Sequence, residues 1–197
     1  MDKEKIELKV IGVSPNITLT CGYGLYLQEK QGARRGLLVI IGGAEAQAIS
    51  YAQKGLAAPR PFTHDLFFSC FNAFGVLLKE VFIYKSVDGV YYSYLYFERG
   101  GERHIFDART SDAVALALRF KAPIFVDADI LAREHMELGD ENSSITFPMS
   151  AFSVPVLEEF LKQAVAEEHY EAASKIRDEI ALRKQGGINP NDGLLNL

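Results

Sequence analysis

The stretch DARTSDAVALALRF, residues 107–120, places two carboxylates, an arginine and two hydroxyls at the head of an apolar helix. Asp107, Arg109, Thr110, Ser111 and Asp112 fall where a strand should end and a helix begin. A purely structural junction needs one capping side chain, not two acids and an arginine. Such a set suits phosphoryl chemistry. Cleaving a phosphodiester takes an activated water, neutralisation of developing phosphoryl charge and help for the leaving oxygen. Asp107 and Asp112, with Glu45, are candidate ligands for a divalent cation such as Mg2+ or Mn2+. Arg109 can fork onto phosphate oxygens, and the helix N-terminus adds donors. The bland alternative has Asp112 complementing the helix dipole, Thr110 or Ser111 capping the helix, and Asp107 pairing with Arg109.

A second junction, RPFTHDLFF at 60–68, carries Arg60, His64 and Asp65. Histidine can transfer a proton near neutral pH, and an adjacent His-Asp can ligate a metal. Neighbours on a helix diverge by about 100°, so the two need not reach the same atom. The structural alternative makes Thr63 the cap, Asp65 a dipole partner and His64 a packing residue. Arg60, between Pro59 and Pro61, can bind phosphate or pair with Asp65. Ser111 and Arg119 are further candidate substrate contacts; Arg119 follows Asp112 by two turns and can instead cap carbonyls. Glu45 follows Gly42-Gly43, but no P-loop is present, since the lysine and hydroxyl are missing. Tyr91, Tyr92, Tyr94, Tyr96 and Phe97 could stack bases, although such residues are more often sheet core or subunit interface.

These residues need elements to hold them. Short-period alternation predicts strands at 6–13 and 22–28. The apolar run at 36–41 is consistent with a central strand buried on both faces. Helices are expected at 44–54 and 64–75. Strands follow at 79–86, 90–98 and 102–107, separated by the turn pairs Asp88-Gly89 and Gly100-Gly101. A helix at 111–121 stops before Pro123; a short strand at 124–127 and a short helix at 129–135 complete the unit. LLVIIGGAEAQAIS and HIFDARTSDAVALA share one order: strand, polar turn, acid-Ala, helix. The expected class is α+β, a mixed, largely antiparallel sheet from a duplicated β-β-β-α unit with helices packed on it, plus a C-terminal helical hairpin. The expected division is 1–136, a linker at 137–152, a hairpin at 153–185 and a flexible tail at 186–197. Two short helices bury little alone, so the hairpin should dock on something or self-associate.

Bulk properties narrow the classes. The chain has 197 residues and a formal net charge of −5, so it is no basic nucleic-acid mat. Cys21 and Cys70 have no metal-site spacing and read as buried thiols in a reducing compartment. MDKEKIELKV holds no hydrophobic signal core, and no window approaches ~18 consecutive apolar residues. A cytoplasmic protein with no membrane contact and no organic cofactor is expected.

VIIGGAEAQAI, RPFTHDL and IFDARTSDAVALALRFKAPIFV resemble the bifunctional nuclease (BFN) family, to which RNase and DNase activity is attributed. The resemblance covers roughly the first two-thirds of the chain, in the family's motif order. Thr110 stands where that family usually has proline, in DARPSDA, which alters turn rigidity more than chemistry. LKQAVAEEHYEAASKIRDEIALRK, at 161–184, resembles the UVR motif, a helical hairpin of UvrB and UvrC that mediates protein–protein contacts. The resemblance implies a nuclease cleaving RNA and DNA with little sequence preference; the residue types and their placement offer His64, Asp65, Asp107, Arg109 and Asp112 as its catalytic set. It also implies nucleic acid as transient substrate and a protein partner, or a second copy, at 153–185; a homo-oligomer is expected. The competing expectation is a non-catalytic adaptor or anion-binding oligomer that docks partners through the hairpin.

Overall fold

The structure is a computed structural model and describes residues 4–14, 23–33, 35–137, 154–166 and 169–185. The strands are β1 (Lys5–Ser14), β2 (Tyr23–Glu29), β3 (Arg35–Ile41), β4 (Leu77–Val87), β5 (Val90–Arg99), β6 (Glu102–Arg109), β7 (Ile124–Asp127) and β8 (Met136–Glu137). The helices are α1 (Gly43–Gln53), α2 (Thr63–Ala73), α3 (Thr110–Phe120), α4 (Ala128–Glu134), α5 (Val154–Ala166) and α6 (Tyr170–Gln185). Cys21, the expected tail and nearly all of the expected linker lie outside the described residues. Glu137, expected to open the linker, belongs to β8 and pairs with Arg35.

All eight strands form one sheet in the order β6-β5-β4-β7-β1-β2-β3-β8. Every pairing is antiparallel except β4 with β7. The duplicated order is plain: the meander β1-β2-β3 leads to α1, and the meander β4-β5-β6 leads to α3. Turn chemistry sets the second meander. Asp88 and Gly89 both have positive φ, as do Gly100 and Gly101, which is what two-residue hairpins twisted like their strands require.

Strand alternation then sorts side chains onto two faces. On one face Leu25, Leu27, Leu37, Val39, Val81, Ile83, Leu95 and Phe97 form the main core with α1 and α3. Ala113, Val114, Ala115 and Ala117 of α3 are almost fully buried. Their small size suits close approach to α1, which contacts α3 and buries Ala46 and Ala48. On the other face Tyr26, Leu38 and Met136 pack against Leu157, Phe160, Ala164, Ala173, Ile176 and Ile180 of the α5–α6 hairpin. The hairpin therefore docks on its own sheet. This corrects the placement of β3. It is buried on both faces, as its apolar run requires, but it is next to the sheet edge and not central; helices on both faces supply the burial.

Leu157 has no exposed surface. Leu157→Ala should therefore cost about 2–5 kcal/mol, the range for large-to-small core changes. Chemical denaturation measures it, and hydrogen exchange should show faster opening of β3 as the hairpin loosens.

Candidate functional site

α1, α2, α3 and the end of β6 converge on one cluster. Arg109, the last residue of β6, precedes α3 in extended conformation. Its Nε donates to Asp112 Oδ2 at 2.7 Å, and its Nη2 donates to Asp112 Oδ1 at 3.1 Å and to Glu45 Oε1 at 2.7 Å. His64 Nε2 lies 2.9 Å from Asp112 Oδ1. The two sequence junctions thus meet through one carboxylate, 48 residues from His64 in the chain. Gly42 makes room for Glu45: a Cβ there would stand 2.5 Å from Glu45 Oε2. The Arg109 side chain remains 69% exposed, and its Nη1 hydrogens are not spent on the acids.

His64 and Asp65 reach different partners, as their divergence on a helix demands. Arg119 Nε donates to Asp65 Oδ1 at 2.6 Å, its Nη1 to Ala115 O at 2.8 Å and its Nη2 to Ala48 O at 3.3 Å. The Arg119 side chain is only 6% exposed, so it ties α1, α2 and α3 together and is not offered to a substrate. Asp65 Oδ2 accepts from the Phe62 amide at 2.8 Å, so Asp65, and not Thr63, caps α2. Asp65 thus serves as a capping and clamping residue. Arg119, not Arg60, is its ionic partner; Arg60 is exposed on the loop before α2.

Burial alone would raise the Asp112 carboxyl, but hydrogen bonds from Arg109 and His64 outweigh it and hold the group below the usual carboxylate range. Burial would likewise raise Asp65, and the bonds from Arg119 and the Phe62 amide reverse the sign.

Three further expectations change. Asp107 pairs with Tyr94 across β5–β6, and its Oδ1 accepts from Tyr84 OH at 3.0 Å. Tyr84 and Tyr94 stack at 3.8 Å. Directly opposed residues share a face, so the Asp107 carboxylate lies on the tyrosine face, away from the helices, although the residue borders the cavity described below. Thr110 caps nothing with its side chain; its hydroxyl lies 2.7 Å from Ser93 Oγ in the core. Ser111 is buried and borders a separate cavity of about 250 Å³. Cys70 is exposed, not buried.

Among the described residues no group of three His, Cys, Asp or Glu side chains could hold a metal ion. The donor set explains why Asp107, Asp112 and Glu45 do not make a cation site: Asp107 faces the other side of the sheet, and the Arg109 guanidinium sits between the other two. The positive charge at this cluster is an arginine.

Beside the cluster opens a cavity of about 710 Å³. Glu45, His64, Arg109 and Asp112 line its polar side; Phe67, Phe71, Leu95, Phe97, Phe106 and Leu116 line the rest. This volume is typical of small-molecule sites. The sequence reading missed the aromatic wall. Its signal was present in the exposed apolar residues of α2, which buries none of its side chains fully, and in Phe106 one position before Asp107.

Residues 25–139 match the bifunctional nuclease domain, and residues 154–185 match the UvrB/uvrC motif. Two uncharacterised proteins of Mycobacterium tuberculosis, one from strain CDC 1551 / Oshkosh and one from strain ATCC 25618 / H37Rv, are each 42% identical to this chain over 118 residues. That span is 60% of this chain and 70% of each relative.

Both depressed carboxyls contribute stability that is complete above their unfolded-state values, near 3.9 for aspartate, and is lost as pH falls through the lower folded-state values. Acid unfolding followed by circular dichroism should therefore shift to higher pH in Arg119→Met, which removes the partner that holds Asp65 down. At neutral pH the same substitution should cost roughly 1.5–3 kcal/mol, the range for hydrogen bonds to charged groups.

Proposed function

The chain belongs to the bifunctional nuclease domain family, and from that premise we propose that it cleaves phosphodiester bonds of RNA and DNA with little sequence preference. The observation that carries the proposal is the His64–Asp112 contact beside a solvent-facing arginine at the rim of an apolar cavity. A carboxylate can only accept, so the His64 proton sits on Nε2 and Nδ1 is the basic nitrogen. Nδ1 takes a proton from the attacking water as its oxygen bonds to phosphorus. The same proton is then available to the leaving oxygen as the P–O bond breaks. Arg109, held in place by Asp112 and Glu45, turns its Nη1 hydrogens to the phosphoryl oxygens, where charge grows in the transition state. Arg60 is the second phosphate contact, on the loop before α2. An unpaired base enters the aromatic cavity, which favours single-stranded substrates. The place of action is the cytoplasm; no helix among the described residues is long and apolar enough to cross a membrane.

A protein-docking role for the hairpin accompanies this reading. Tyr170 and Leu182 of α6 are well exposed although the apolar stripe of the hairpin is already occupied by the sheet. The adaptor reading without catalysis rests on the same observation.

Purified protein should degrade single-stranded RNA and DNA. His64→Ala should reduce the rate by at least ~10²-fold, the usual contribution of a positioned acid–base group, with the fold intact by circular dichroism. Asp112→Asn should also lower the rate. Full activity in His64→Ala would overturn the assignment. A wild-type chain without activity that captures a protein partner only when residues 154–185 are present would favour the adaptor.

A further inference from the structure

β6 is an open edge of the sheet. Natural sheets guard such edges with short strands, proline, bulges or charged side chains, lysine above all. The opposite edge follows that rule, since β8 has two residues. β6 is guarded less. It runs for eight residues without proline or lysine, and its register with β5 is continuous, whereas β1–β2 and β4–β5 are interrupted. Ile105 is 57% exposed and Phe106 54% exposed. Beside them α2 shows Leu66 and Phe67 to solvent.

The occupant can be read from the strand itself. Pairing with β5 places Arg103, Ile105 and Asp107 on the tyrosine face, and Glu102, His104, Phe106 and Ala108 on the helix face; Arg109, where β6 passes into α3, turns its side chain to Asp112 and Glu45. Two antiparallel copies of β6 related by a two-fold axis keep each face with itself, so the axis must pass through a residue and not between two. Centred on Phe106, the pairing would oppose Ile105 to Asp107 and leave Arg103 with no acid across the axis. Centred on Ile105, it opposes Arg103 to Asp107 twice, His104 to Phe106 twice, and Ile105 to itself. Arg103, opposite Glu98 across β5–β6, is exposed, and Asp107 accepts from Tyr84 through Oδ1, which leaves Oδ2 for a donor from outside.

We propose that β6 pairs with β6 of a second copy of this chain about a two-fold axis at Ile105, forming a dimer with one continuous sheet. Charge complementarity selects this register, because unlike charges directly opposed on a sheet stabilise and like charges destabilise. The two helix layers, each with its cavity, then lie on one side of the shared sheet, and both α5–α6 hairpins lie on the other.

Sedimentation equilibrium on the full chain tests the proposal. The wild type should be dimeric. Ile105→Lys, which brings two ammonium groups together on the axis, should raise the dissociation constant by at least ~10-fold. Arg103→Asp and Asp107→Arg should each weaken the dimer, and the two combined should restore it. These positions are solvent-exposed, so each variant should keep the wild-type circular dichroism spectrum. With Cys21 and Cys70 replaced by serine, Ile105→Cys should form an intermolecular disulfide under mild oxidation, since directly opposed Cα atoms lie about 4.5–5.5 Å apart, within disulfide reach. Phe106→Cys should cross-link far less. A wild-type chain that stays monomeric at roughly 100 μM, where even a weak interface would be populated, overturns the proposal. So does a dimer indifferent to Ile105→Lys, or one in which Phe106→Cys cross-links in place of Ile105→Cys.

Discussion

One buried arginine underlies the arrangement. Arg119 reaches a carboxylate on α2 and a carbonyl on α1 while anchored to α3. Burying a guanidinium is costly unless its donors find acceptors, so the side chain is satisfied only when all three helices are in place. α2 needs that constraint more than the others, because it buries none of its side chains fully and rests on aromatic contacts such as Phe68 with Phe120 and Phe71 with Phe97. With α2 held, His64 falls beside Asp112, and the aromatic wall stands opposite the ions.

The cluster is built on a shared acceptor. Asp112 receives hydrogens from Arg109 and lies against His64, while Glu45 takes another hydrogen from the same guanidinium. Two acids around one arginine leave the group with a net charge of −1 when His64 is uncharged. The proposed phosphate contact therefore rests on the projecting hydrogens of Arg109 and not on a basic surface.

Much of the fold was legible because it is set locally. Asp88-Gly89 and Gly100-Gly101 fixed two hairpins, and the repeated acid-Ala after a polar turn exposed the duplicated order. β3 was read as central because burial on both faces usually means that; no local signal told that a distant hairpin would supply the second cover. Asp107 was misplaced although the sequence held the information. Phe106 and Asp107 are neighbours in a strand and must face opposite ways, so an acid next to a core-facing phenylalanine leaves the helix side. The contacts His64–Asp112 and Arg109–Glu45 span 48 and 64 residues, and only the assembled sheet brings them together.

The hairpin that covers Tyr26, Leu38 and Met136 acts as a thermodynamic toll on whatever would bind it. A visitor that grips its outer surface meets no opposition, whereas one that competes for the inner stripe must first peel both helices away and leave an apolar wound on β2 and β3. The second kind of visitor is therefore handicapped by the full free energy of that detachment, and selection among binders is set by which side of α5 and α6 they require.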